Sequence, residues 1–439
     1  MKFNLNLGVK NIGWLLLDKF TKMAVGIVVY IFLARGLGPE QFGILSYSTA
    51  CLFTAAALAG FGLSEIIVRD LIINSDQVNR VLGSAIYIIF STSILSFGLF
   101  WLFILQFEDL NSATGKFLAV ISFAVLFKFS DISIYWFEAV VKSKFVTIVQ
   151  APTSILFAAL KLFLLIFDTN LQVFAILILT EIAFTSLLLL VVLNFRGVEL
   201  RKLTLIPTFV KNLVSSGWPL IFTAVFVSLY MKTDEIMLGL LGDKALVGVY
   251  AAAARISALW YFIPIIVVAS FYPILLRNRE NIDYLHGVQV LLDLVVLISF
   301  CIALAMTIFA DQLIFMMYGE EYKEAGSVLT LHTWSLYFVS VGIVSSRWMI
   351  VENLQKLSMY KAFLGFISNI LLNYFLITRY GPHGAAVATL ISFGISAFVT
   401  DLLFRETRAV FFMKLRSINL FGAFNRVFLF RKNTVALIS

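Results

Sequence analysis

The stretch Ala34-Arg35-Gly36-Leu37-Gly38-Pro39-Glu40-Gln41-Phe42-Gly43 lies between two long apolar runs, and its reading decides the fold. About 205 residues later the arrangement returns as Leu241-Gly242-Asp243-Lys244-Ala245-Leu246-Val247-Gly248. In each, a membrane-length segment ends at Leu-Gly, a four- or five-residue polar hinge follows, and a glycine opens the next segment. The stretches that follow also correspond, Ile44-Leu45-Ser46-Tyr47-Ser48 against Val249-Tyr250-Ala251-Ala252-Ala253. Two such turns at matching places predict a duplicated membrane bundle, which is how many secondary transporters are built. The expected hinge residues are Gly36, Gly38, Pro39 and Gly43 in the first half and Gly239, Gly242 and Gly248 in the second.

Composition agrees. Of 439 residues, 61% are hydrophobic and 13% charged, where soluble domains carry about 25% charged residues. The mean hydropathy of +0.97 excludes a soluble enzyme and predicts an all-α polytopic membrane protein. The apolar stretches have the roughly 18–25 residues a helix needs to span hydrocarbon. A transmembrane barrel would instead show alternating segments of about ten residues. Cys51 and Cys301 lie in apolar runs without metal-like spacing, so core packing is expected for both. His286, His332 and His383 are scattered. No metal site, cofactor or nucleic-acid partner is expected. The first apolar stretch carries Asp18, Lys19 and Lys22 and lacks a small-residue cleavage site, which predicts a retained helix and not a signal peptide.

Hydropathy and length give about twelve spans, roughly 12–34, 42–63, 81–105, 117–137, 147–167, 171–193, 216–240, 247–275, 287–309, 326–350, 360–378 and 384–403. This predicts a six-helix bundle over 1–193, a cytoplasmic linker over 194–215, a second six-helix bundle over 216–403 around a shared central cavity, and a basic cytoplasmic tail over 404–439. One set of connections, with both tails, holds about 21 basic residues, Lys2, Arg279, Lys361 and Lys414 among them, against about five in the other set. The excess of positive charge marks the cytoplasmic side, so both termini are expected there, and an even number of spans follows. The outward loops are too short to fold as separate domains. The tail alternates Phe, Leu and Arg, as in Phe421, Phe424, Arg426 and Phe428, which suits a basic amphipathic segment on the inner membrane surface.

Charges inside the spans carry the functional argument. Each Lys, Arg or Asp at mid-membrane costs about 2.5–3.5 kcal/mol on insertion scales, so such residues face a partner or a wet cavity. Asp18, Lys19, Lys22 and Gly26 share one arc of the first span. Lys128, Asp131 and Tyr135 form one polar stripe, read either as a cavity wall or as an ion pair that locks packing. Lys161 is alone among apolar neighbours and predicts a wet lumen. Ser228, Lys232, Glu235 and Gly239 share a face, while Asp234 points elsewhere. Arg255 follows four alanines, and Arg347 follows Ser345-Ser346. Asp131, Glu181, Asp234, Glu235 and Asp293 are acids at membrane depth. Four of them, Asp131, Asp234, Glu235 and Asp293, are the candidates for a coupling proton or sodium ion. The bases Lys22, Lys128, Lys161, Lys232, Arg255 and Arg347 together predict a cationic lumen for an anion, because Arg offers phosphate a bidentate fork and Lys a point charge.

Three stretches carry a family resemblance. Arg35-Gly-Leu-Gly-Pro-Glu-Gln-Phe-Gly43 resembles the first-hinge signature of the polysaccharide-transporter family of O-antigen flippases, within the multidrug/oligosaccharidyl-lipid/polysaccharide exporter superfamily. Thr233-Asp234-Glu235-Ile236-Met237-Leu238-Gly239, followed by Gly248-Val249-Tyr250-Ala251-Ala252-Ala253-Ala254-Arg255-Ile256, resembles its seventh and eighth spans. Tyr380-Gly381-Pro382-His383-Gly384-Ala385-Ala386-Val387-Ala388-Thr389-Leu390 resembles its last hinge. The resemblance implies two six-helix bundles facing a cationic lumen. It also implies a multi-pass protein of the bacterial inner membrane that moves undecaprenyl-pyrophosphate-linked repeat units to the outer leaflet for lipopolysaccharide O-antigen. Its partners would be membrane lipids and that lipid-linked oligosaccharide, with a polysaccharide polymerase and a chain-length regulator beside it. The expected mechanism is alternating access without catalysis. Two rivals stand: a cation-coupled drug or ion antiporter of the same superfamily, against which the buried bases argue, and a polysaccharide polymerase or ligase, for which the outward loops are too short.

Overall fold

Gly38 and Gly381 make two sharp corners. Gly38 has φ 71° and ψ 171°, and Gly381 has φ 52° and ψ −129°, conformations that only glycine adopts without strain. Each precedes a proline, Pro39 or Pro382. Proline lacks the N–H that would continue the preceding helix and is preset for the first turn of the next. The computed structural model describes residues 5–167, 170–277 and 284–436. Lys2 and Arg279, read as inward basic residues, lie outside the described residues.

The described chain is helical, without a strand. In order come α1 (Leu5–Gly60, bent at Gly38), α2 (Ser64–Ile73), α3 (Val78–Phe107), α4 (Ala113–Ser122), α5 (Ile132–Ala139), α6 (Lys144–Ile166), α7 (Leu171–Phe195) and α8 (Pro207–Leu241). Then follow α9 (Lys244–Leu259), α10 (Phe262–Arg277), α11 (Tyr284–Tyr318), α12 (Ala325–Thr333), α13 (Ser335–Val351), α14 (Gln355–Ala397, bent at Gly381), α15 (Arg408–Ile418) and α16 (Leu420–Ala436). Helix starts follow their capping residues: the side chains of Ser112, Asn170 and Asp243 accept from the first turns of α4, α7 and α9, filling orphan backbone donors.

Among the described residues, nine helical stretches are long and apolar enough to cross a membrane. Two of them, Leu17–Ile73 and Gln355–Leu402, are 57 and 48 residues long. Bent at their glycines, each supplies two crossings at about 1.5 Å rise per residue. With the 35-residue α8, the chain is an all-α multi-pass membrane protein of about twelve spans.

Two compact units divide the chain, Met1–Lys232 and Thr233–Ser439, so the boundary falls within α8, beyond the link expected at 194–215. In the first unit α2, α3, α5 and α6 close a core of Leu63, Ile67, Leu82, Ile89, Trp136 and Val149. In the second, α10, α11, α13 and α15 close one of Val268, Leu292, Val344, Trp348 and Met413. The units repeat a turn closely. Val141 and Asn353 have φ 57° and 58°, rare for residues other than glycine. Lys142 N–H donates to Phe137 O at 2.8 Å, and Leu354 N–H to Met349 O at 2.8 Å.

Three spans expected as single helices are interrupted. The fourth passes through a 3₁₀ stretch, Phe123–Asp131, between α4 and α5. The eighth breaks between α9 and α10, where Pro264 cannot bond the Trp260 carbonyl and Ile263 N–H takes it at 3.2 Å. The tenth breaks at Trp334, after Thr330 and Thr333 bond back to the carbonyls of Gly326 and Leu329, which bends helices. Residues 408–436 fold as α15 and α16, which pack along α11 and leave Phe421, Phe424 and Phe428 exposed. Of the cysteines, Cys51 is buried, but Cys301, expected in the core, is exposed on α11.

Candidate functional site

Helical spacing orders the charges along each helix, and packing supplies their partners. Lys22 Nζ donates to Asp18 Oδ2 at 2.8 Å and to Gln150 of α6. Lys128 pairs with Asp131 at 2.6 Å; in a 3₁₀ stretch residues three apart eclipse. Lys161, expected without a partner, pairs with Glu181 of α7 at 2.5 Å. That correction has a simple cause: the partner stands on the next helix, outside any spacing rule. Lys232 on α8 and Arg255 on α9 are half-buried, and Arg347 near the end of α13 is exposed.

The acids separate by their neighbours. Asp293 is buried on α11 and accepts two bonds from the Arg426 guanidinium, at 2.6 and 2.9 Å, plus one from Gln289 at 3.0 Å. It ties α16 to α11. Asp131 and Glu181 each hold a lysine. Glu235 is buried on α8.

Asp234 differs from all of them. It is 4% exposed, and its hydrogen-bond partners among the described residues are all uncharged. Tyr250 Oη donates to Oδ2 at 2.7 Å, and the Thr389 hydroxyl donates to the same oxygen. Asn369 and Asn373 donate to Oδ1 from their Nδ2 groups at 3.1 and 2.6 Å. Asn369 also donates to Ser392 Oγ at 3.2 Å. The amide oxygens of Asn369 and Asn373 are buried and meet no donor among the described residues.

Two hairpins build this cluster by one rule. Asp234 stands eight residues before Gly242 and Tyr250 eight after it; Asn373 stands eight before Gly381 and Thr389 eight after it. Equal counts up and down a helical hairpin bring residues level, here about 12 Å from each corner. Asn369 and Asn373 share a face at i, i+4, as Thr389 and Ser392 do at i, i+3. Tyr250 and Thr389 lie inside the motifs that carry the family resemblance, and Asn369 and Asn373 lie outside them. The symmetry of polar residues about the two glycines points to Tyr250, Asn373 and Thr389, and i, i+4 spacing from Asn373 then adds Asn369.

Burying a carboxylate without a cation is costly. Four donors offset part of that cost, and a proton or a small cation would complete it. The two spare amide oxygens fit this role. Half a turn of either amide exchanges its donor for an oxygen, so the same side chains can face a bare carboxylate or a carboxylate-bound cation. Among the described residues no group of three or more His, Cys, Asp or Glu stands together as a metal site would require.

Of the expected hinge residues, Gly38 and Pro39 form a true corner, and Gly242 lies in the turn between α8 and α9. Gly36, Gly43, Gly239 and Gly248 lie inside helices. At Gly36 a Cβ would come within 2.7 Å of the Leu165 side chain, so its smallness serves helix packing.

Residues 9–279 match the family described as polysaccharide biosynthesis protein, and residues 219–375 match the MatE family. Two relatives come from Haloferax volcanii. One, a probable low-salt glycan biosynthesis flippase, Agl15, is 23% identical over 172 residues, 38% of this chain and 36% of the relative. The other, a probable flippase, AglR, is 29% identical over 175 residues, 37% of this chain and 35% of the relative. The matched stretch thus spans about a third of each relative's length. A solved structure of the lipid II flippase MurJ in an inward closed conformation superposes with a TM-score of 0.72, covering 98% of this chain and 100% of that one. At 18% identity, that likeness shows a common fold.

Proposed function

The chain belongs to the polysaccharide biosynthesis protein family, and we propose that it is a cation-coupled flippase for a lipid-linked glycan. One observation carries the coupling: Asp234, buried among neutral donors with two spare amide oxygens beside it. The glycan reading draws on the two flippase relatives. The substrate is an undecaprenyl-pyrophosphate-linked repeat unit of O-antigen type. It passes from the inner to the outer leaflet of the bacterial inner membrane, with both termini of the protein cytoplasmic.

In this reading, bases of the lumen set meet the diphosphate. Lys22, Lys128 and Lys161 are each held by an acid, so the anion gains them by competing with Asp18, Asp131 and Glu181. The sugar travels in water while the prenyl chain stays in lipid. The chain rocks about the 194–215 link and the corners at Gly38, Gly242 and Gly381. A cation at Asp234 drives the return step, and it can bias the cycle only through unequal affinity for its two ends. Lys232, Arg255 and Arg347 complete the cationic set. Glu235, beside Asp234 in sequence, is the reserve coupling acid.

The test is surface glycan display in cells lacking the protein, with lipid-linked intermediates assayed in the same sample. Loss of display with repeat units accumulating on the inner leaflet, rescued by the wild-type gene and not by Asp234→Asn, is the expected result. A second reading, a cation-coupled drug antiporter, draws on the MatE match over 219–375. Normal display together with drug hypersensitivity would favour it. Single units accumulating on the outer leaflet would instead place the block at polymerisation.

A further inference from the structure

Tyr250 does more than donate to Asp234. The His332 ring of α12 meets the Tyr250 ring edge-on, with centroids 5.8 Å apart and planes at 77°. His332 Nδ1 lies 2.9 Å from Ser257 Oγ on α9. Tyr261 Oη lies 3.0 Å from Ser335 Oγ. Ser257 and Tyr261 flank the α9–α10 interruption, and His332 and Ser335 flank the α12–α13 interruption. Ser257, His332 and Ser335 are all buried. Two weak points of the helical ladder are therefore bonded to each other, and the bonded group begins at the Asp234 cluster.

We propose that this staple makes the occupancy of Asp234 and the bending of the chain at the two interruptions a single equilibrium. The proposal rests on the reading of Asp234 as the coupling-ion site. A cation there takes lone pairs that now accept from Tyr250 and Thr389, so the Tyr250 hydroxyl must turn or withdraw. Its ring abuts His332, and His332 is bonded back to α9. A shift of Tyr250 therefore reaches α12 through contact and α13 through Tyr261 and Ser335. The interruptions are where bending is easiest, since i→i−3 bonds replace the regular ladder: Trp260 N–H donates to Ser257 O at 3.2 Å, Tyr261 N–H to Ala258 O at 3.2 Å and Tyr337 N–H to Trp334 O at 3.3 Å. There is also room to bend. A cavity of about 400 Å³, lined by Phe300, Trp334, Tyr337, Phe338, Leu390 and Ile418, lies against the start of α13, where a close-packed core would resist movement.

Coupling of this kind is reciprocal and needs an element with two arrangements that both sites bias. The probe is sodium chloride against choline chloride, on the full-length protein in lipid nanodiscs at constant pH. Radiolabelled sodium measures occupancy, and hydrogen–deuterium exchange measures opening of the peptides covering 257–263 and 333–337. In the wild type, sodium should slow exchange of both peptides by at least about fivefold, the low end of ordinary coupling. Tyr261→Phe cuts one bond of the staple and Ser257→Ala the other, and neither touches Asp234. Each variant should still bind sodium while losing its effect on 333–337.

Full sodium-dependent protection of 333–337 in both cut variants would overturn the staple. So would sodium binding to the wild type with no change in either peptide. Asp234→Asn separates the two ideas. Sodium binding undiminished in that variant, or absent from the wild type, overturns the Asp234 reading itself. Binding lost in Asp234→Asn with protection intact in the cut variants overturns the staple alone.

Discussion

Asp401 is the most consequential carboxylate that spacing rules overlooked. It lies in the short turn Val399–Leu402 after α14, and it faces two ammonium groups. Lys361 from the start of α14 donates to Oδ1, and Lys414 of α15 donates to Oδ2 at 2.7 Å. Lys414 spends its other donors on Ser345 Oγ at 2.9 Å and Ala397 O at 2.5 Å. The side chains of Lys361, Asp401 and Lys414 are 5%, 1% and 0% exposed. Asp401→Asn leaves two buried cations without their counter-charge. Breaking one buried pair costs about 3–5 kcal/mol. Two cations share this carboxylate, while Lys414 keeps two neutral acceptors, so we expect a loss near the top of that range, about 5 kcal/mol. For a unit of this size each kcal/mol moves the thermal midpoint by about 2–4 °C, so the midpoint should fall by about 10–20 °C. The assay is thermal unfolding of purified protein in detergent, followed by tryptophan fluorescence at one fixed scan rate, because such unfolding is commonly irreversible. Lys414→Met placed on top of Asp401→Asn removes one stranded charge and should recover at least half of the loss. A midpoint for Asp401→Asn within about 2 °C of wild type would refute the reasoning, since it would mean less than about 1 kcal/mol at a group held to be desolvated.

Two further outcomes follow from the same reasoning. Gly38→Ala and Gly381→Ala each force a side chain into backbone space that only glycine occupies, at about 1–3 kcal/mol apiece; both should lower the melting midpoint, whereas Gly98→Ala, with open space around it, should leave it unchanged. Glu181→Gln strands Lys161, but these side chains keep 15% and 24% exposure, so the loss should be smaller than at Asp401, about 1–2 kcal/mol. A double-mutant cycle with Lys161→Met should return a coupling energy of the same size, and additive effects would show that the pair contributes nothing.

How much of this was legible in the sequence follows from which rules are local. A bilayer core leaves no backbone group for water, so a span must be a helix of fixed length with few charges. Spans, fold class and the Gly-Pro corner at Gly38 could all be read from runs and single residues. Pro264 marks its own interruption for the same reason, because a missing N–H acts within one turn. The Asp234 cluster was half legible: the acid stood out as a charge in an apolar run, but its four donors are ordinary polar residues. The equal counts about Gly242 and Gly381 point to Tyr250, Asn373 and Thr389, and Asn369 lies one helical turn from Asn373.

Pairs within a helical turn, such as Lys128 with Asp131, were legible; the ion pairs between helices were not. Glu181 lies 20 residues from Lys161, Asp401 lies 40 from Lys361, and Arg426 lies 133 from Asp293. Lys361 and Lys414 stand in sequence among the inward loop charges, and the tertiary structure buries both. Sequence by itself determined that this chain crosses a membrane about twelve times, where it turns, and which charges the lipid would not tolerate unaccompanied. Only the tertiary structure decided which of those charges are accompanied. A side-chain contact depends on how helices pack, which is set by shape along their whole length, while hydropathy and backbone geometry are settled within a turn or two of each residue.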